Sequence, residues 1–235
     1  MISWLGLSDP FPPVDTALTD PNGLLAAGAD LTPARLLDAY RRGIFPWSAD
    51  DEPILWWCPD PRMVLFVDEF YVSRTLRKRL RSQVFTVTAD RAFEQVMQGC
   101  AEPRADADGT WITGTITSAY TRLHRMGHAH SIETWRGGTL VGGLYGVSIG
   151  RMFFGESMFA RESDASKVAL AFLARQLERW GFELIDCQMS TAHLATLGAR
   201  EIPRRDFVRR VQLLTAKSAV KTPWVLDPDL IDTFF

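Results

Sequence analysis

The stretch "FELIDCQMS", Phe182 to Ser190, reads as a covered β-strand that carries a carboxylate and an amide in its second half. Phe182, Leu184, Ile185 and Met189 suit a buried strand; Asp186 and Gln188 do not. Side chains alternate between the faces of a strand, so Asp186 and Gln188 are expected on one face and Ile185, Cys187 and Met189 on the other. Burying such groups unpaired costs about 1–3 kcal/mol each. They must therefore be satisfied by partners within the fold, for instance by capping the helix that follows, or by a substrate.

Two basic clusters can meet polyanions. In "SRTLRKRLR", Arg74, Arg77, Lys78 and Arg81 recur at the i, i+3, i+4 and i+7 spacing of one helical face, with Leu76 and Leu80 directed elsewhere. The second cluster is Arg200, Arg204, Arg205, Arg209 and Arg210. On a chain of formal net charge −2, such a face either follows a phosphate backbone or is a solvated helix surface. Two further sets are weaker. His124 and His128 are separated by the helix-breaking Gly127, and with His130 they make a poor metal motif; no metal is expected. Cys187 and His193 suggest a thiol nucleophile, yet alternation turns Cys187 away from Asp186 and Gln188, as a small buried hydrophobe.

The elements that must position these groups belong to a soluble globular chain. Its 235 residues are 46% hydrophobic and 23% charged, ample for a core, with no apolar run long enough to span a bilayer. The start, "MISWLGLSDPFPP", lacks the basic flank and apolar stretch of a signal peptide. Three scattered cysteines outside any CxxC imply no disulfide framework and a reducing, cytoplasmic setting.

Residues 1–62 are dense in Pro, Gly and Trp and are expected to form a small N-terminal α+β domain. Within it, Thr32 as N-cap and Pro33 as first helical residue predict a helix running to about Arg42 and stopping at Gly43. The acidic "ADDEP" predicts a loop. From Arg62 onward strands and helices alternate. "RMVLFV" and "VFTVTA" read as strands, "DRAFEQVMQGC" as a helix begun by Asp90, and "TGTITSAYTRLHRMG" as a helix. "RGGTL" marks a hairpin turn within the meander that runs from "HAHSIETW" to "MFFGESMF". A long amphipathic helix over "SDASKVALAFLARQLERWG", the opening strand, and a short helix ended by Gly198 follow.

That order resembles the GNAT acyltransferase core: a hairpin, a strand, a helix, a strand, a short helix, a glycine turn and a last strand. The resemblance implies an α/β fold of the α+β kind, with a mixed β-sheet flanked by helices over residues 63–235. It also implies an acyl donor bound where two parallel strands splay. Asp186 and Gln188 lie on one of those strands, and Glu156, in "FFGESMF", lies on the other with Met158 expected on the same face. Users of acetyl-CoA carry a glycine-rich turn before the long helix that wraps pyrophosphate. Here that turn is "ARESDASK", without glycine, so a different activated acyl donor is expected.

Longer motifs extend the likeness over nearly the whole chain: "PNGLLAAGADLTPARLL", "AYRRGIFPW", "PILWWCPDPR", "GTWIT", "AYTRLHRMGHAHSIE", "LVGGLYGVSIGRMFFGESMF", "LIDCQ" and "HLATLGAREIPRRDF". With them the sequence resembles the leucyl/phenylalanyl-tRNA–protein transferase family. The resemblance implies transfer of Leu, Phe or less readily Met from an aminoacyl-tRNA to the N-terminal Arg or Lys of a protein, marking it for proteolysis by the N-degron route. Departures are small: Cys58 where the family usually has Ser, and Asp164, expected to cap the long helix, where it has Asn.

Such a donor is an ester, already activated, so no cofactor is required. The protein must hold the ester carbonyl beside a neutral amine, place a proton acceptor and stabilise the oxyanion. The resemblance assigns Asp186 and Gln188 to catalysis. A neutral amide is too weak a base to deprotonate an amine, so Gln188 is expected to contact the amine and Asp186 to polarise and orient it. A tRNA hydroxyl or water remains an equal candidate for the base. Glu156 is expected to pair with the donor's α-ammonium. Leu144, Met158, Leu170, Phe172 and Ile185 are the candidate apolar pocket. Trp47, Trp111, Tyr120 and Phe153, all inside the motifs, are candidates to stack on the terminal adenine of tRNA at about 1–3 kcal/mol per stack. The Arg74, Arg77, Lys78 and Arg81 face is expected on tRNA phosphates. The competing readings are an acetyl-CoA-dependent N-acetyltransferase and a non-catalytic adaptor for aminoacyl-tRNA or basic N-termini.

Overall fold

The computed structural model describes residues 2–49, 52–103 and 110–235. Asp50 and Asp51 of the expected acidic loop, and Gly109 of "GTWIT", lie outside the described residues. Near the N-terminus, β1 (Ser3–Leu5), β2 (Leu24–Gly28), β3 (Phe45–Pro46) and β4 (Leu55–Trp57) form a sheet of order β1-β2-β4-β3. Across it runs α1 (Pro33–Arg41), started as its sequence predicts: the Thr32 hydroxyl accepts from the Arg35 N–H at 3.4 Å, and Pro33 occupies the first turn. Gly43, at φ 77°, takes the chain out of the helix where a Cβ would strike Phe207. Tyr40 is thereby fixed on the inner face of α1, fully buried.

The second sheet begins at Arg62. It contains β5 (Arg62–Phe66), β6 (Thr86–Ala89), β7 (Ala129–Arg136), β8 (Thr139–Ile149), β9 (Met152–Ala160), β10 (Leu184–Gln188) and β11 (Arg200–Ile202), in the order β11-β5-β10-β9-β8-β7-β6. Around it lie α2 (Arg74–Arg81), α3 (Phe93–Ala101), α4 (Gly114–Arg125), α5 (Ala165–Arg179), α6 (Ala192–Ala195) and α7 (Arg204–Thr215). The β7–β8 hairpin closes at Gly137 and Gly138, whose φ values of 55° and 82° are those a two-residue primed turn demands. One face of the sheet packs Leu65, Ile132, Leu144, Phe153 and Ile185 against α5. The other packs Val64, Tyr145, Val147, Phe154 and Leu184 against α1, α3, α4 and α7.

The mixed α/β architecture is the expected one, and β9 and β10 are the parallel pair of the second sheet, in register at Ile185↔Phe153 and Asp186↔Phe154. The last strand, β11, is separated from β10 by β5, which is antiparallel to both neighbours. Three local expectations are corrected. Asp90 does not cap α3, whose N-cap is Ala92; at φ 55° its carboxylate instead binds the N–H groups of Ser131 and Trp224 and the ring of His130. Asp164 makes no capping hydrogen bond; it sits in a left-handed conformation and pairs with Lys167 at 3.0 Å. Met189 is about half exposed. Helix α7 goes unannounced in the sequence, because arginines dominate it; Phe207, Val211 and Leu214 hold it in place.

Candidate active site

Two β-bulges build the site. On β9, Tyr145 and Gly146 of β8 face Ser157 and Gly155, leaving Glu156 as the extra residue. On β10, Asp186 and Gln188 face successive residues Val64 and Met63 of β5, leaving Cys187 extra. A bulge re-aims the residues beside it and interrupts alternation. The simple faces expected from period two are therefore corrected at both strands: Met158 packs with the α5 side of the sheet, whereas Glu156 turns to Tyr40 and Tyr120. Beyond Asp186 and Phe154 the parallel pair parts, and the two bulges flank the gap.

Gln188 takes φ 62°, costly for a residue with a Cβ. Its N–H donates to Asp186 Oδ1 at 2.9 Å, which fixes that backbone. Its Nε2 then donates to Glu156 Oε1 at 3.0 Å, and no donor among the described residues reaches its Oε1, which is left for the cavity. Asp186 is fully buried and committed to Arg62, with Nε–Oδ1 2.8 Å and Nη2–Oδ2 2.7 Å. The Arg62 guanidinium is itself sandwiched between the rings of Phe45 and Phe207, at 4.7 and 4.5 Å. The contact of Asp186 with Gln188 is through the backbone N–H, so it orients the turn that carries the amide rather than touching the amide itself.

Glu156 accepts from the Tyr40 hydroxyl at 2.7 Å and from the Tyr120 hydroxyl at 3.1 Å, and the two hydroxyls also meet each other. Enclosure by protein pushes its carboxyl up to about 8, against the pull of the two tyrosines. Burial likewise raises both phenols well above their usual value, so they remain donors.

Glu156, Asp186 and Gln188, with Ser157, Thr191 and His193, supply the polar part of the lining of a cavity of about 450 Å³. Its apolar wall includes Leu144, Met158, Leu170 and Ile185. Phe172 is corrected: it lies on the opposite side of α5, against Phe234, and Leu173 lines the cavity instead. The i, i+3 relation of Leu170 to Leu173 was the available signal, since residues two apart never share a helical face. Trp47, 40% exposed, and the half-buried Trp111 stand in the lining, where a planar ring can be stacked. Tyr120 and Phe153 are fully buried and offer no ring face to a base; Tyr120 serves Glu156 and Phe153 forms part of the cavity wall.

Cys187 also lines the cavity, contrary to expectation, because it is the bulged residue. Burial pushes its thiol strongly upward, which keeps it a poor nucleophile. His130 is stacked on Trp224 and bonded to Asp90, and His124 is stacked on Phe93. Among the described residues, no three His, Cys, Asp or Glu side chains gather as a metal site. Arg74, Arg77, Lys78 and Arg81 are exposed along α2 while Leu76 and Leu80 are buried beneath. The second basic cluster is largely bound within the fold: Arg200 to Glu69, Arg204 to the Cys58 carbonyl, Arg210 to Glu183. No helix among the described residues is long and apolar enough to cross a membrane.

Comparison with known proteins adds a family likeness to this geometry. A family model described as leucyl/phenylalanyl-tRNA protein transferase matches residues 64–212, and one described as its N-terminal domain matches residues 29–60. A protein of Nitrosospira multiformis named leucyl/phenylalanyl-tRNA–protein transferase is 58% identical over 232 residues, spanning 99% of this chain and 100% of its own. One of the same name from Thiobacillus denitrificans is 63% identical over 217 residues, spanning 92% of this chain and 95% of its own. Among solved structures, L-PGS from Bacillus licheniformis is a distant likeness, with a TM-score of 0.39 and 11% identity over 71% of this chain and 53% of that one.

Proposed function

The chain belongs to the leucyl/phenylalanyl-tRNA–protein transferase family, and from that premise we propose that transfer takes place in the cavity between β9 and β10. The protein is an aminoacyltransferase that moves leucine or phenylalanine from tRNA to protein. The observation that carries the site assignment is the hydrogen-bonded pair of Gln188 and Glu156 in the lining of a largely apolar cavity.

In this reading the donor side chain fills the space among Leu144, Met158, Leu170, Leu173 and Ile185. Methionine is taken less readily than leucine or phenylalanine. Trp47 and Trp111 stack on the terminal adenine, at about 1–3 kcal/mol per stack. The face of α2 formed by Arg74, Arg77, Lys78 and Arg81 follows tRNA phosphates. The acceptor is a protein beginning with Arg or Lys, and the added residue marks it for degradation.

The acceptor's neutral α-amine attacks the ester carbonyl; the new C–N bond forms, the C–O bond to the ribose breaks, and the proton lost by the amine ends on the departing ribose oxygen, carried there by a tRNA hydroxyl or water. Gln188 Oε1 accepts an N–H of the amine and so turns the amine's lone pair toward the carbonyl. Glu156 holds the donor's α-amino group, and because Gln188 Nε2 is bonded to the same carboxyl, donor and acceptor are aligned on one rigid pair. Tyr40 and Tyr120 fix that carboxyl. Arg62 and Asp186 are positioning residues: they hold the backbone turn that aims Gln188.

Incubation with labelled Phe-tRNA and a peptide beginning with Arg should place label in the peptide. Absence of transfer, accompanied by acetylation of the peptide from acetyl-CoA, would overturn this reading in favour of the acetyltransferase.

A further inference from the structure

Glu201, on β11, is exposed, and its carboxylate accepts from the Ser190 hydroxyl. Among the described residues it has no ion-pair partner, although arginines surround it in sequence. Arg200 is turned to Glu69, Arg204 to the Cys58 carbonyl, and Arg205 and Arg209 to Asp206. Its position relative to the site follows from sheet register. Met63 of β5 is the partner both of Gln188 on β10 and of Glu201 on β11. Two strand spacings therefore separate the backbones of Gln188 and Glu201, roughly 10 Å. Ser190 spans this gap: its Oγ lies 3.6 Å from Met63 Sδ and also meets Glu201, while its neighbours Met189 and Thr191 line the cavity. The path from Gln188 to Glu201 thus has thioether side chains along it and a free carboxylate at its end.

We propose that Glu201, held by Ser190, receives the cationic side chain of the acceptor's N-terminal residue. This rests on the transfer reading above, in which the acceptor amine sits at Gln188. Counted from the Gln188 backbone, that separation is covered by an arginine or lysine side chain, roughly 6–7 Å long by ordinary bond lengths, together with the glutamate's own reach. Its methylene stem lies on Met189 and its charge reaches water and carboxylate together. A carboxylate can receive a guanidinium through its two oxygens or an ammonium through one, so either cation is accommodated, in keeping with acceptance of both Arg and Lys in this reading. Because the pair is at an exposed rim, its effect is moderate, about two- to fivefold in acceptor affinity.

The test uses the full chain with saturating Phe-tRNA and peptides that begin with Arg, Lys or citrulline, the neutral isostere of Arg. The wild-type protein should show a KM for the Arg and Lys peptides about two- to fivefold below that for the citrulline peptide. E201Q should erase this preference by raising only the KM of the charged peptides. S190A, which frees the carboxylate without removing it, should have a smaller effect in the same direction. The KM for Phe-tRNA is the accompanying readout that a general folding defect would move. Equal KM values for Arg and citrulline peptides in the wild type, or an undiminished preference in E201Q, would overturn the assignment of Glu201. Failure of the wild-type protein to label any peptide from Phe-tRNA is distinguishable, since it overturns the transfer reading as well.

Discussion

Arg62 and Asp186, 124 residues apart in the chain, form a bidentate ion pair with both side chains fully buried. Removing one member of such a pair leaves an uncompensated charge in the interior and typically costs about 3–5 kcal/mol. Asp186→Asn, although it conserves volume, is therefore expected to lower the midpoint of thermal and urea unfolding as well as transfer. Replacing both partners, as in R62M with D186L, should recover much of the lost stability while transfer stays low, because the Gln188 N–H then has no acceptor. Recovery of transfer together with stability would show that the pair acts only on the fold.

Glu156 gives a pH dependence whose sign follows from its raised carboxyl. Its folded-state value of about 8 lies above the ordinary 4.5, so between those limits the folded chain binds the proton more than the unfolded chain does. Stability contributed by protonated Glu156 is thus complete near pH 4.5 and is lost as pH rises toward 8. Glu156→Gln mimics the protonated form at all pH values. Melting of the two proteins should nearly coincide at about pH 5, and the variant should melt progressively higher than wild type up to about pH 8.5. A difference that stays constant, or that shrinks with pH, would contradict a carboxyl raised by enclosure.

Much of this architecture is legible in the sequence because local rules act alone there. Thr32 and Pro33 start α1, Gly137 and Gly138 close the hairpin, and the spacing of Leu76 and Leu80 turns the arginines of α2 outward. The polar residues of the site are also legible, since a carboxylate and an amide inside an apolar strand need an explanation. What alternation misplaces is their aim. The bulges at Glu156 and Cys187 depend on pairing with β8 and β5, and no local pattern announces them. Arg62 is the same kind of omission: its partner is set by β5 lying beside β10, which the element order alone does not reveal.

The cavity wall yields a contrast within one helix. Leu173 lines the cavity and Phe172 faces away from it. Leu173→Ala should change the ratio of kcat/KM for Phe-tRNA to that for Leu-tRNA, by roughly tenfold or more for the removal of several methyl and methylene groups. Phe172→Ala should leave that ratio unchanged and act on stability through its contact with Phe234. Competition between the two charged tRNAs measures the ratio in one reaction. A shift caused by Phe172→Ala and none by Leu173→Ala would place the pocket on the other side of α5.

Arg74, Arg77, Lys78 and Arg81 give α2 a basic face open to solvent. If it follows tRNA phosphates, each phosphate met releases condensed counterions, and binding weakens with salt in proportion to their number. Reversal of Arg74 and Lys78 to Glu removes two such cations and adds repulsion. The expected result is a raised KM for Phe-tRNA and a shallower dependence of log KM on log salt, the slope falling by about one for each phosphate left unneutralised. A short phenylalanyl-adenosine donor, which ends before it could reach α2, should be used as well as before. Leu76 and Leu80, which hold α2 down, are untouched, so the variant keeps its fold. Equal impairment with both donors would mean that these charges act on the cavity or on folding, and the phosphate assignment would fall.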